Sequence, residues 1–472
     1  MRSDLCLVMD QGSHSSRAMV FDRSGNCLSQ GQVQVKTRFT QPNRAEQQPD
    51  DIVISLKRAA LEAISTLKRE DRSKLRTAAL ITQRSSMLCW DADNGKPLTP
   101  ILNWQDRRGF HYIDDLMPLA SMLRQLTGLY PNAHLPASKL RWCMEHMTFN
   151  TAKHRVRGGP VAAWLIKQLV HEQPDLIDGV TAARTMLFSL KDRDWHPELL
   201  DLFKLPDSLL PKVRPSKYNF GTLKLPGLSL PLNFVSGDQA AALFAFGEPS
   251  QDNLYINLGS GGFMNRVLSE RGLHPQERIL HHLILSDKQP LYSAEATING
   301  AANALDWAFN ICRPDTHDID SWAEKCTDPP LFMNMVGGVG SPYWQSLERP
   351  CWINDCNDSE ARLVAVMESI VFLIYRNIKA MSSLPPAKQI IIGGGISRLN
   401  SLCQRVADLS GLPVQRYEQQ EITSLGAAWQ VLPNSVRDML PEKTFHPEAN
   451  ERLKQRYQSW QQAFHDHLSS LE

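Results

Sequence analysis

Leu5 to Asp22 reads LCLVMDQGSHSSRAMVFD. The apolar run Leu5–Met9 predicts a strand, DQGSHSSR a polar turn, and Ala18–Asp22 a second strand. The turn Arg23-Ser24-Gly25-Asn26 follows, so the segment reads as a β-hairpin or meander. The same order returns later: Asn253–Leu258 is strand-like, Gly259-Ser260-Gly261-Gly262 is a glycine-rich turn, and Phe263–Val267 is a strand. We read this as a weak internal repeat of a phosphate-gripping hairpin, not as a solenoid period. After the first hairpin, Asp50 is expected to cap a helix with Ile52, Leu56, Ala59, Ala63 and Leu67 on one face. Ala78–Thr82 reads as a further strand. Strands and helices in mixed order predict an α/β fold.

Further along, a proline-rich stretch from Leu205 to Leu232 reads as a connection between lobes. Ser359–Lys379 predicts a long helix with Asp358 as its cap and Glu360 in its first turn. Gln389–Gly395 reads as a buried strand entering a glycine turn, followed by a helix through Leu402 and Val406. The last segment carries Leu453, Tyr457, Trp460, Phe464, Leu468 and Leu471 on one helical face. That stripe packs on a lobe or serves as a partner-binding helix.

Composition narrows the function classes. At 472 residues the chain suits two to four domains. Its 51 basic and 50 acidic side chains leave a net charge of +1, against the basic excess of a broad nucleic-acid footprint. A local basic pocket for a phosphorylated small molecule remains compatible with that balance. No apolar run approaches the roughly 20 residues that cross a bilayer. The short apolar stretch at the N-terminus predicts no signal peptide. The nine cysteines are scattered without a CxxC pair, which suits free thiols in the cytoplasm.

Several segments combine groups that can do chemistry. In Asp10–Arg17 a strand ends in an acid and runs into a turn of glycine and hydroxyl residues. Such a turn can present backbone N–H groups to phosphate, and the acid can hold magnesium through water. Arg17 either binds phosphate or is an exposed strand arginine. In Ser236–Ala242, Asp238 sits at a strand-to-helix junction. There it can accept the proton of an alcohol during phosphoryl transfer, or cap the helix, or both. Gly259–Gly262 and Gly393–Gly395 would let a ligand approach the backbone, and Asn400 lies where it could meet an adenine edge. Trp104 suits stacking on the C–H face of a polyol, with Gln105, Asp106 and Arg84 on its hydroxyls; the alternative is a core tryptophan beside a surface ion pair. Glu421–Ala428 joins an acid to a small-residue helix, which we read as close helix packing.

The order of these segments identifies the chain as resembling the FGGY carbohydrate kinases over roughly residues 4–432. DQGSHSSR (10–17) resembles the first phosphate motif of that family. GKPLTPILNWQDRR (95–108), TAARTMLFSLKDRDWHPELLDLF (181–203) and LPKVRPS (210–216) are similar to glycerol kinase segments. SGDQAAALF (236–244) resembles the catalytic-base site, NLGSGG (257–262) the second phosphate motif, GGGISRLN (393–400) the adenosine motif, and ITSLGAA (422–428) the last block. The resemblance implies a two-lobed actin-like ATPase (ribonuclease H-like) fold with a central cleft. Residues 1–246 would form the sugar and phosphate lobe, 247–435 the nucleotide lobe and 436–472 a helical tail. It implies ATP-dependent phosphorylation of a sugar or polyol hydroxyl, with ATP and Mg2+. Asp238 would be the base and Asp10 the magnesium organiser. Gly12, Ser13, Arg17, Gly259 and Ser260 would face phosphates, while Gly394, Gly395 and Asn400 hold adenosine. Arg84, Trp104, His134, Asp238 and Gln239 would line the substrate end. The expected partner is a small molecule, with no nucleic acid and no membrane, and a homodimer is left open.

The chain also departs from that pattern. Glycerol kinases read QRE where this sequence has Gln83-Arg84-Ser85, and their substrate-side tyrosine falls at His134. His14 replaces a hydroxyl residue, Gly393 an aspartate, and Gly340–Trp344 lacks much of an aromatic run. ATINGAANALDW (296–307) is reminiscent of sedoheptulose kinases. The departures favour a ketose or larger polyol over glycerol. They also define a rival reading, a catalytically degraded nucleotide- or sugar-binding regulator of the same fold. A chaperone or filament ATPase is disfavoured, because the segment around Trp104 would have no role in one.

Overall fold

Leu5–Gln11 pairs antiparallel with Ser15–Phe21, with Asp10 opposite Arg17 and Gln11 opposite Ser16. Leu5 through Met9 are buried without alternation, as a strand covered on both faces requires. The computed structural model describes residues 4–149, 155–268, 278–345, 349–417, 421–432 and 439–471. The chain divides into two compact units. One is Met1–Pro249, His281–Tyr292 and Glu421–Met439, and the other is Ser250–Leu280, Ser293–Gln420 and Leu440–Glu472.

The first unit contains a sheet in the order Leu232–Gly237, Leu75–Thr82, Leu5–Gln11, Ser15–Phe21, Cys27–Gln34. Its first three strands are parallel, and the register sets Gln11 and Gly237 beside Thr82. Gly12, Gln83 and Asp238 therefore leave the sheet abreast, at the carboxyl ends where α/β sheets place ligands. The helix Pro49–Thr66 packs on the strands Ser15–Phe21 and Cys27–Gln34. Its cap is Gln48, not Asp50; Pro49, with its φ preset for a helix, opens the first turn and moves Asp50 inside it. On the α-helix Ile422–Val431, Leu425, Ala428 and Trp429 cluster with Cys6, Val8, Ile81 and Phe234. A Cβ on Gly426 would fall 1.9 Å from the Ala241 carbonyl oxygen, so close packing explains the small residues there.

The proline-rich stretch does not connect the units. It lies inside the first, where Lys212–Arg214 pairs with Leu176–Asp178 and the first break between units falls after Pro249. Its prolines interrupt regular elements without freeing the backbone from its neighbours.

The second unit repeats the opening motif. Asn253–Leu258 pairs antiparallel with Gly262–Leu268 and parallel with Gln389–Gly393, just as Leu5–Gln11 pairs with Ser15–Phe21 and Leu75–Thr82. Val414–Arg416 and Lys443–Phe445 continue the sheet. The helix Ser359–Ala380 starts at Asp358, whose carboxylate accepts from the N–H groups of Glu360 at 2.9 Å and Ala361 at 3.2 Å. The last helix, Glu451–Leu471, buries Leu453, Tyr457, Trp460, Phe464 and Leu468. Tyr457 and Trp460 meet Phe372, and Arg456 donates to buried Glu368 at 2.7 Å. The unit thus covers this stripe itself, and the helix docks on its own unit. Residues 436–438 and 472 of the expected tail, and the side chain of Leu471, lie outside the described residues.

Candidate active site

Asp238 is the first residue of the short helix Asp238–Ala242, and Gly237 holds the cap position without a side-chain bond. Asp238 is therefore no conventional cap; its Oδ1 accepts from the next N–H, Gln239, at 2.7 Å. The buried Arg84 guanidinium approaches the same oxygen at 3.6 Å. Glycine at 237 makes this approach feasible, since a Cβ there would lie 2.8 Å from Arg84 Cγ. Asp10, near the end of Leu5–Gln11 and separated from the Asp238 strand by Leu75–Thr82, has its carboxyl pushed up to about 7. Burial is the main cause, the charge of Asp238 adds to it, and Arg17 opposes it. Two carboxylates thus feel each other at the ends of parallel strands, an arrangement suited to receiving a cation or a proton.

A polar web joins this corner to the expected substrate side. The Trp104 indole N–H donates to Ser13 Oγ at 2.8 Å, and that hydroxyl donates to Gln83 Oε1 at 3.1 Å. Gln83 also accepts from Asn103 at 3.0 Å and donates to Gln47 at 2.9 Å and Gln11 at 3.1 Å. Trp104 is 40% exposed, so it is not a core anchor and part of its ring remains accessible. His134 lies beside it, ring centroids 6.3 Å apart, with Nδ1 2.9 Å from the Trp104 carbonyl. A carbonyl only accepts, so Nδ1 carries the proton and Nε2 the lone pair. Burial pushes the His134 imidazole down to about 4, which keeps it neutral near pH 7.

Both glycine turns are closed by their own backbone. Gly12 N–H donates to Ser15 O at 3.0 Å, and Gly259 N–H to Gly261 O at 2.9 Å. In the third turn the glycines differ. Gly394 has φ 93°, and a Cβ there would strike the Leu258 carbonyl oxygen at 2.3 Å, whereas one on Gly395 would meet nothing within 4 Å. Gly394 serves backbone packing and Gly395 borders open space. Asn400 begins the helix Asn400–Ser410; its N–H donates to Asp320 at 3.0 Å, and its Oδ1 accepts from Arg416 at 3.1 Å.

Some residues differ from their sequence reading. Asp106 is fully buried; it accepts from Ala45 N at 2.9 Å and Arg108 Nη2 at 2.8 Å, so its carboxylate braces a turn. Arg17 is engaged by Glu421 at 2.8 and 3.2 Å, which ties the first hairpin to the residue preceding Ile422–Val431. Lys139, Asp320 and Arg416 escaped notice altogether. Asp320 and Arg416 are far from Asn400 in sequence. Lys139 sits amid an ordinary amphipathic pattern that would place a lysine in water.

The comparisons agree with this architecture. Residues 5–245 match the N-terminal domain and residues 254–431 the C-terminal domain of the FGGY family of carbohydrate kinases. The chain belongs to this family. It is an ATP-dependent kinase of a sugar or polyol hydroxyl, using ATP with Mg2+, on a two-domain α/β actin-like ATPase fold. It is 29% identical to "Glycerol kinase 2" of Saccharolobus solfataricus, covering 98% of this chain and 97% of that one. It is also 29% identical to the glycerol kinase of Thermococcus kodakarensis, over 97% of this chain and 96% of that one. Among solved structures, Plasmodium falciparum glycerol kinase with ADP superposes with a TM-score of 0.89 at 21% identity, covering 98% of each chain. Ligand-bound xylulose kinase from Lactobacillus acidophilus gives 0.88 at 18% identity, covering 99% of this chain and 98% of that one. Among the described residues, no helix is long and apolar enough to cross a membrane.

Proposed function

We propose that Asp238 is the general base and that the acceptor is a ketose or a polyol larger than glycerol. The observation that carries the base assignment is the junction itself. Asp238 stands at the carboxyl end of a parallel strand, aimed by Arg84 at 3.6 Å and within the field of Asp10. In this reading the acceptor hydroxyl gives its proton to Asp238 as its oxygen bonds to the γ-phosphorus, and ADP leaves with the electrons of the broken P–O bond. Trp104 would stack on the acceptor, Arg84 and Gln239 would hold hydroxyls, and His134 Nε2 would accept from one. In sequence terms, residues 1–246 would carry acceptor and base, 247–435 most of the nucleotide contacts, and 436–472 a structural tail.

The described side chains offer no group of three or more His, Cys, Asp or Glu that could hold a metal. Asp10, which feels the charge of Asp238, would instead help hold an ion carried in by the nucleotide. Bound there, magnesium would neutralise charge on the phosphates. The amides after Gly12, at Ser13 and His14, and the corresponding stretch at Ser260 would meet phosphate oxygens, because each leading glycine N–H closes its own turn. Arg17, held by Glu421, would act from beside them. Gly395 would face the nucleoside, Gly394 would shape the turn, and Asn400 would offer its amino end to an acceptor nitrogen of adenine.

The substrate class rests on two side chains. Ser85 puts a short neutral group where a carboxylate stands in the resembling glycerol kinases, and His134 puts an acceptor where they carry a phenol. Nine free thiols support a cytoplasmic setting. The test is ADP release and phosphorylated-product detection over glycerol, ketopentoses, heptuloses and longer polyols. A ketose or longer polyol should exceed glycerol in kcat/KM. Preference for glycerol would overturn the substrate reading, and no transfer to any member would overturn the site.

A further inference from the structure

We infer that Lys139 is a positioning residue for the acceptor, locking together the two turns that carry Arg84 and Trp104; this rests on the site proposed above. Lys139 lies on the helix Pro136–His146 with no exposed surface. Its Nζ donates to the Ser85 carbonyl at 2.8 Å and to the Asn103 carbonyl at 3.0 Å. Each acceptor is the immediate chain neighbour of a proposed acceptor-binding residue, Arg84 in one turn and Trp104 in the other. A buried ammonium is tolerated only where its donors are met, so its placement here implies a demand for this cross-link.

Three further features belong to the same junction. Ser85 has φ 63°, in the left-handed region that side-chain-bearing residues seldom adopt, and its carbonyl is held in that geometry by Lys139. Trp104 N–H donates to Ser86 Oγ at 2.9 Å, and Asn103 Nδ2 to Gln83 Oε1 at 3.0 Å. The turns are thus tied directly to each other as well as through Lys139. Burial depresses the amine to about 7, and among the charged groups facing it Asp106 opposes that shift while Arg108 reinforces it. Lys139 itself reaches backbone oxygens of both turns, so its effect on catalysis runs through Arg84 and Trp104.

The experiment compares Lys139→Met with the wild-type full chain by steady-state kinetics, varying ATP and the best acceptor of the panel separately. The acceptor KM should rise tenfold or more, well beyond any rise in the ATP KM. Equal changes in both, or an unchanged acceptor KM in a folded variant, would overturn the proposal. Should Lys139→Met fail to fold, Lys139→Gln keeps a neutral donor that can reach only one of the two carbonyls. It should raise the acceptor KM two- to fivefold, more than the ATP KM, and no change would again overturn the proposal. A wild-type protein inactive on every acceptor would sink the underlying site first, and this inference with it.

Discussion

The indole N–H of Trp104 donates to the hydroxyl of Ser13 at 2.8 Å, so a residue of the proposed acceptor site holds a residue of the first phosphate turn. Gln83 completes the link by accepting from Ser13 and from Asn103. The acceptor side and this phosphate turn therefore share one hydrogen-bonded frame within the first unit. Trp104→Phe keeps a ring for stacking and removes the N–H. A net hydrogen bond is worth about 1 kcal/mol, or roughly fivefold in an equilibrium constant. We expect kcat/KM for the acceptor to fall by about that factor and the ATP KM to rise with it. A change confined to the acceptor would show that the link transmits nothing.

Gly394 and Gly395 are adjacent and should fail in different ways. At Gly394 a Cβ would sit 2.3 Å from the Leu258 oxygen at φ 93°. Gly394→Ala should destabilise the protein by about 1–3 kcal/mol, visible in denaturant unfolding. A Cβ on Gly395 meets nothing within 4 Å, so Gly395→Ala should leave stability within about 0.5 kcal/mol and raise the ATP KM. If both variants lost only stability, the turn would have no part in nucleotide binding.

His134 gives a pH dependence of definite sign. Its folded pKa of about 4 lies below the ordinary 6.5, because burial disfavours the imidazolium. The unfolded chain then binds more protons between these values, so this residue's contribution to stability is lost as pH falls from 6.5 towards 4. His134→Gln, neutral throughout, should lose less Tm than wild type between pH 6.5 and 4.5. Parallel Tm curves would place the protonation elsewhere.

Ser85→Glu restores a carboxylate beside Arg84. A hydrogen bond to a charged group is worth about 1.5–3 kcal/mol. The ratio of kcat/KM for glycerol to that for the best larger acceptor should rise about tenfold or more. A ratio unmoved in a folded variant would remove Ser85 from the specificity argument.

Local pattern carried most of the architecture into view. Both hairpins, the capped helix after Asp358 and the strand running into Gly393 depend on short-range alternation, turn chemistry and capping, all written in consecutive residues. Asp238 was legible because a strand-to-helix junction is a local feature. What escaped notice is long-range. Nothing adjacent to Lys139 in the chain announces that its ammonium reaches residues 54 and 36 positions earlier. That Asp106 is buried against Arg108 is likewise decided by the fold and not by its neighbours in the chain. The prolines of Leu205–Leu232 looked like a linker because irregular backbone packed within a unit has the same composition as irregular backbone between units.

The central claim is that Asp238 takes the acceptor proton, and Asp238→Asn tests it most directly. The substitution preserves shape and removes the basic oxygen. The variant should lose about a hundredfold or more of kcat while binding ATP with an unchanged Kd by calorimetry. Turnover within a few fold of wild type would contradict the account.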